Sequence, residues 1–104
     1  MKKGLNGVCY GFFSSLANPT RLAILERLMD GEMNVSGLAK ELGLEQSMVS
    51  HNLKLLEKCR FVFSAKRGKE KYVTLNKETV AALFRVAERH ADKYCDSAGN
   101  CVFS

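Results

Sequence analysis

The amino-acid sequence predicts a mainly α-helical protein with a small β-hairpin wing, a winged helix-turn-helix of order α-α-α-α-β-β-α. Residues 45–58 carry an apolar stripe at helical spacing, and a shorter helix that Gly43 closes comes before them. Two strand-like runs follow, joined by Arg67-Gly68-Lys69. Two helices joined by a tight turn and followed by a hairpin are typical of this fold class.

Length and composition indicate one domain. The chain has 104 residues, of which 46% are hydrophobic, so it can form one modest core. We therefore expect a single winged-helix domain over residues 1–104, with residues 95–104 as a cysteine-containing C-terminal tail. Because no apolar run approaches ~18 residues and the start lacks a signal-peptide pattern, we expect a cytoplasmic protein that does not contact a membrane.

The first two helices are predicted from apolar spacing and from capping signals. Apolar residues at every fourth position predict a first helix over residues 7–16. Asn18 and Pro19 predict the start of the second helix, because asparagine caps a helix and proline loses no needed donor in the first turn. Asp30-Gly31 ends that helix.

The third helix is predicted over residues 36–42, with Ser36 as its cap. Before it, residues 33–35 read as a short extended piece that could pair with the wing. After it, Gly43 and Leu44 form the tight turn into the long helix.

The long helix at residues 45–58 has two different faces. Val49, Leu53 and Leu56 form a stripe that we expect to be buried. A second face is polar and has no carboxylate, so it could meet base edges and phosphates without repulsion. The alternative is the solvated face of an ordinary surface helix. The polar face contains Ser47, Ser50, His51 and Lys54.

The wing and the last helix complete the chain. Residues 61–66 and 70–75 are predicted strands, and Asn76 is the expected cap of a last helix over residues 77–94. The apolar faces of the first and last helices exceed what one small core can cover, which predicts a homodimer formed through these two helices. The alternative is a last helix folded back on its own core.

Charge is concentrated at the long helix and the wing. The chain has a net charge of +5, and residues 54–71 contain seven basic and two acidic residues, so this window carries the whole excess. A basic patch of this kind on a neutral body is typical of a DNA-binding surface, with Lys54 and the wing cations on phosphates. An acidic protein partner is the alternative.

Three stretches resemble the ArsR/SmtB family of winged-helix repressors. Residues 16–22 are similar to its "L-A-x-P-T-R-L" opening, residues 46–53 to its "Q-S-x-V-S-x-H-L" helix and residues 67–75 to its wing motif. The resemblance implies a dimeric repressor that binds a double-stranded DNA operator and leaves it when an inducer binds. By position it also implies that DNA is contacted by Gln46, Ser47, Ser50 and His51, and that phosphates are reached by Arg67 and Lys69.

The sequence departs from that family pattern at several positions. Asn52 replaces a usual histidine, and Arg60 replaces a usual helix-ending glycine, so the turn into the wing is expected to differ or to be strained. The family's cysteine pair on the third helix is missing. The acid-and-histidine zinc pattern that the resemblance implies along the last helix is also incomplete, so two well-known metal sites are unsupported.

The four cysteines suggest an inducer site elsewhere. Cys95 and Cys101 follow the last helix, and Cys9 lies on the first, so a soft ion could be held by these thiolates. The expected ions are As(III) or Sb(III), Cd(II) or Pb(II), or Zn(II). The alternatives are a Cys95–Cys101 redox or reactive-sulfur switch, or idle thiols in a protein without an inducer. Cys59 is a weaker ligand candidate, for which a buried small residue is the favoured interpretation.

Other function classes have less support. The sequence contains no carboxylate pair, nucleophile–base set or phosphate-binding loop, so we do not expect an enzyme. A dimeric interaction module that does not bind DNA is the remaining alternative, although it would not need the basic window.

Overall fold

The computed structural model describes residues 4–95 of the chain. It confirms the expected winged helix-turn-helix, mainly α-helical with a small antiparallel hairpin. The last helix is entered through a π-helical turn at Lys77–Ala81. The elements in chain order are α1 (Leu5–Leu16), α2 (Pro19–Leu28), β1 (Met33–Asn34), α3 (Val35–Leu42), α4 (Gln46–Lys58), β2 (Val62–Arg67), β3 (Glu70–Leu75) and α5 (Ala82–Tyr94).

The turn between α3 and α4 has the expected glycine geometry. Gly43 ends α3 with φ +66°, a left-handed conformation that glycine adopts without steric cost. The next residue, Leu44, donates its backbone N–H to the carbonyl of Ala39 at 2.9 Å. These bonds satisfy the end of α3 and direct the chain into α4, which is the recognition helix of this fold class.

One predicted helix cap is confirmed and two are wrong. Asn18 Oδ1 accepts the N–H of Arg21 at 3.0 Å, as expected for the cap of α2. The cap of α3 is Asn34 rather than Ser36, because the N–H of Gly37 donates to Asn34 Oδ1 at 2.9 Å.

Asn76 does not cap the last helix with its side chain. Its Nδ2 donates instead to the carbonyl oxygen of Arg60 at 2.8 Å. The contact joins the end of β3 to the turn that precedes β2. The side chain therefore stabilises the base of the wing instead of the start of the following helix.

The three strands form an antiparallel sheet in the order β1-β3-β2. The extended piece expected at residues 33–35 does pair with the wing, with Met33 opposite Val73. β2 begins one residue later than predicted. Arg67 pairs with Glu70, so the hairpin loop is only Gly68-Lys69, and Gly68 has the positive φ (+62°) that a two-residue loop favours.

The core lies between α2, α3, α4 and the sheet. The predicted inner stripe of α4, Val49, Leu53 and Leu56, is buried. Each such side chain contributes roughly 1.5–3 kcal/mol by leaving water. The fully buried partners are Ile24, Leu25, Leu28, Leu38, Val62, Val73 and Val80.

Helices α1 and α5 leave apolar surface uncovered. α5 buries no residue fully, and its Val86 and Tyr94 are 52% and 68% exposed. On α1, Tyr10 and Phe13 are 76% and 52% exposed. Within residues 4–95, no helix combines the length and the apolar character that a membrane crossing needs.

Candidate nucleic-acid interface

The outer face of α4 presents the polar side chains that the sequence singled out. Gln46, Ser47, His51 and Lys54 are exposed, and Ser50 is half-buried. Because Val49, Leu53 and Leu56 anchor the opposite face in the core, the helix cannot rotate without exposing them. The polar face is therefore held towards solvent on a rigid element, with donors and acceptors that suit base edges.

Asn52 lies on the inner edge of α4 and contacts a cation. It is 9% exposed, and its Nδ2 donates to the carbonyl of Met48 at 2.9 Å. Its Oδ1 lies 3.5 Å from Nη1 of Arg21, whose Nε donates to the carbonyl of Ser15 at 2.7 Å. This departure from the family motif thus belongs to a polar junction between α1, α2 and α4.

Arg60 adopts the backbone conformation of the glycine that it replaces. Its φ is +62°, and it is the one non-glycine residue with positive φ in residues 4–95. The expected strain at the turn into the wing is therefore present, because an L-amino acid in the left-handed helical conformation brings its Cβ close to the following carbonyl oxygen. Its exposed side chain adds a cation beside the end of α4.

The two wing residues expected on phosphates lie in different environments. Arg67 forms an ion pair with Glu32, and its guanidinium lies 4.1 Å from the centre of the Tyr72 ring. Lys69 occupies the exposed tip of the hairpin, and residues 4–95 contain no ion-pair partner for it. Lys69 can thus reach an anion directly, whereas Arg67 must first leave Glu32.

Glu57 links α4 to the wing, a role that sequence reasoning missed. Its carboxylate accepts hydrogen bonds from Lys71 Nζ at 3.1 Å and from Ser64 Oγ. Burial alone would raise the pKa of Glu57, but the hydrogen bonds from Ser64 and Lys71, with the charges of Lys71 and Lys54, outweigh it and hold the pKa below its usual value. The sequence signal that could have indicated this role is the position of the acidic Glu57 within the basic window of residues 54–71.

The cysteines are distributed over three regions of the chain. Cys9 is half-buried on α1, and Cys95 is half-buried directly after α5. Cys101 lies outside the described residues. Within residues 4–95, no three His, Cys, Asp or Glu side chains come together as a metal site.

The favoured interpretation of Cys59 as a buried small residue is wrong. Cys59 is exposed, and its Sγ lies 3.6 Å from Ser15 Oγ. The reason is its position at the very end of α4, where its side chain lies beside α1 instead of pointing into the core.

A groove of about 930 Å³ separates α2 from α5. Leu22, Phe84 and Ala87 line it with apolar surface, and Arg27 and Glu88 add charge. The groove adds to the uncovered apolar surface of α5.

Comparison with known proteins identifies the family. Residues 18–64 match the family described as "Bacterial regulatory protein, arsR family". NmtR, an HTH-type transcriptional regulator of Mycobacterium tuberculosis, is 37% identical over 78 residues, which cover 75% of this chain and 65% of NmtR. A probable mercury resistance operon repressor of Streptomyces lividans is 33% identical over 76 residues, which cover 73% of this chain and 61% of that repressor.

Both of these relatives are therefore matched over less than two thirds of their own length.

A solved structure extends the likeness to the fold. It is the solution structure of a homodimeric winged helix-turn-helix DNA-binding domain, Mb0332 of Mycobacterium bovis, with a TM-score of 0.72 and 32% identity over 80% of this chain and 77% of that chain. The names of these relatives describe a transcriptional regulator and an operon repressor. This chain belongs to the ArsR/SmtB family of bacterial transcriptional regulators.

Proposed function

We propose that the protein is a homodimeric, sequence-specific DNA-binding transcriptional repressor. The observation that carries the proposal is the exposed polar face of α4 between Gln46 and Lys54, which contains no carboxylate, is fixed by a buried stripe and is flanked by a basic hairpin. Such a face suits the major groove, and the neighbouring cations suit the phosphates on either side.

The uncovered faces of α1 and α5 support the dimer. These two faces expose four large apolar side chains to water, Tyr10, Phe13, Val86 and Tyr94. Packing against the same surface of a second copy buries these side chains and stabilises the dimer. The homodimeric structure of Mb0332 supports the same arrangement. A twofold axis between the copies would place the two α4 helices about one DNA turn (~34 Å) apart.

The division of labour follows from the side chains. Gln46, Ser47, Ser50 and His51 read base edges in this proposal. Lys54 and Lys69 neutralise phosphates, and Arg67 does so after exchanging Glu32 for a phosphate oxygen. Affinity therefore depends steeply on salt, because each neutralised phosphate releases counterions.

The test begins with selection of a bound duplex from a random library, since the operator is unknown. We expect the purified dimer to retain a palindromic sequence and to bind it more tightly than random DNA. Replacing both Ser50 and His51 with alanine should abolish this preference but leave the dimer intact. Thr79→Ala, at an exposed hydroxyl outside α4 and the wing, is the control. A dimer that selects no duplex at low salt would refute the proposal.

The proposed inducer is a soft ion held by thiolates. Cys9 lies on α1 and Cys95 directly follows α5, the two helices of the proposed dimer surface, and Cys101 is the third candidate ligand. Thiolates prefer As(III), Sb(III), Cd(II) and Pb(II), and they also bind Zn(II). The relation to a mercury resistance operon repressor supports a thiophilic ion.

Titration of the reduced dimer on its selected duplex separates the inducer classes. We expect As(III) or Cd(II) to release the DNA, and Cys95→Ser and Cys101→Ser to abolish this response, while Cys59→Ser retains it. Release only by a persulfide donor or an oxidant would support a Cys95–Cys101 dithiol switch instead. If the serine variants respond to every ion as the parent does, the thiolate site is wrong.

A further inference from the structure

Glu57 is a carboxylate in the middle of the basic surface. It lines one shallow hollow together with Lys54, Lys58 and Arg60. A negative charge there repels DNA phosphates, so by long-range electrostatics alone it opposes the proposed function. The contacts of Glu57 explain what the charge does at this position.

Glu57 joins the recognition helix to both strands of the hairpin. It is the second-last residue of α4, Ser64 lies on β2 and Lys71 lies on β3. One carboxylate oxygen accepts the Ser64 hydroxyl, and the other accepts Lys71 Nζ at 3.1 Å. The side chain of Glu57 is only 26% exposed, so these bonds are partly shielded from water.

The strand register gives Glu57 a second effect. Lys71 lies directly opposite Lys66 in the hairpin, and like charges in that arrangement destabilise a strand pair. The Glu57 carboxylate offsets this repulsion and draws Lys71 towards α4. The orientation of the hairpin relative to the recognition helix is thereby coupled to one acidic side chain.

We propose that Glu57 is a positioning residue that determines DNA specificity by fixing the wing against the recognition helix. This inference rests on the proposed function. Specific binding requires α4 in the groove and the wing on the flanking backbone at the same time, so it gains from a fixed angle between them. Non-specific binding depends on net positive charge and not on that angle.

Glu57→Gln therefore has effects of opposite sign on the two kinds of binding. The variant keeps the size of the side chain but removes one negative charge from the patch. We expect affinity for random DNA to rise and affinity for the selected duplex to fall. The ratio of specific to non-specific affinity should decrease about five- to tenfold, the size of effect expected from losing a partly shielded charged hydrogen bond. A general loss of folding would lower both affinities together.

Glu70→Gln is the matched control. Glu70 is the other acidic residue of the basic window, and its Oε2 accepts a hydrogen bond from Asn34 Nδ2 of β1 at 2.8 Å. Within residues 4–95, no ion pair joins Glu70 to α4. The change in net charge is the same, and the residue also lies in the wing. We expect Glu70→Gln to raise both affinities and to leave their ratio unchanged.

Ser64→Ala provides a second route, since it removes one Glu57 contact without changing net charge. We expect it to lower affinity for the selected duplex only, with affinity for random DNA unchanged. The measurements are fluorescence anisotropy titrations with both duplexes at fixed salt, with folding checked by circular dichroism. If the parent prefers its duplex but Glu57→Gln behaves like Glu70→Gln, or if Glu57→Gln does not fold and Ser64→Ala keeps the parental ratio, the inference is overturned. A parent without any preference would instead refute the proposed function.

Discussion

Replacing Arg60 with glycine should stabilise the protein. An L residue in the left-handed region costs roughly 1–2 kcal/mol, and Arg60 has φ +62°. Glycine removes that cost but adds about 0.5–1 kcal/mol of conformational freedom to the unfolded chain. The bond from Asn76 ends on the Arg60 carbonyl, so the substitution keeps it. We expect a net gain in the free energy of unfolding of roughly 0.5–1 kcal/mol.

Arg60→Ala is the matched control, because it removes the same charge and keeps the Cβ atom. Thermal denaturation of both variants at equal protein concentration checks the prediction. The melting temperature of Arg60→Gly should exceed that of Arg60→Ala by about 3–6 °C, from the usual relation between free energy and melting temperature for a domain of this size. Equal melting temperatures, or a lower value for the glycine variant, would refute the argument from backbone strain.

The remaining predictions concern the core, the dimer, the wing and acid stability. Leu53→Ala should lower the free energy of unfolding by about 2–5 kcal/mol in urea titrations, because Leu53 is 1% exposed. Phe13→Glu should convert the proposed dimer to monomers in sedimentation, whereas Ser14→Glu, an exposed neighbour on α1, should not. Lys69→Met should reduce the slope of log affinity against log salt by about 1, and an unchanged slope would exclude a phosphate contact. The pKa of Glu57 lies below its usual 4.5. The ionised carboxylate therefore stabilises the folded state at pH values above the unfolded-state pKa, and this stabilisation is lost as pH falls through the folded-state pKa. Urea titrations at pH 7 and near pH 4 should therefore show a smaller loss of stability on acidification for Glu57→Gln than for the parent.

The sequence by itself determined the order of elements and the face of each helix. Val49, Leu53 and Leu56 recur at helical spacing, and a residue at such a position is buried wherever the helix packs. Gly43 and Gly68 marked the two turns because few other residues adopt positive φ without strain. The polar face of α4 followed from the same periodicity, so the candidate DNA-contacting residues on this helix could be named in advance.

Only the tertiary structure decided which polar side chains are already engaged within the protomer. Glu57 contacts Ser64 and Lys71, and Arg67 contacts Glu32, at separations of 7 to 35 residues along the chain. Periodicity describes one element at a time and contains no information on such long-range pairs. The predicted cap of α3 was wrong for a related reason: Asn34 and Ser36 are both good caps by type, and the pairing of β1 with β3 determined which of them stands at the first turn.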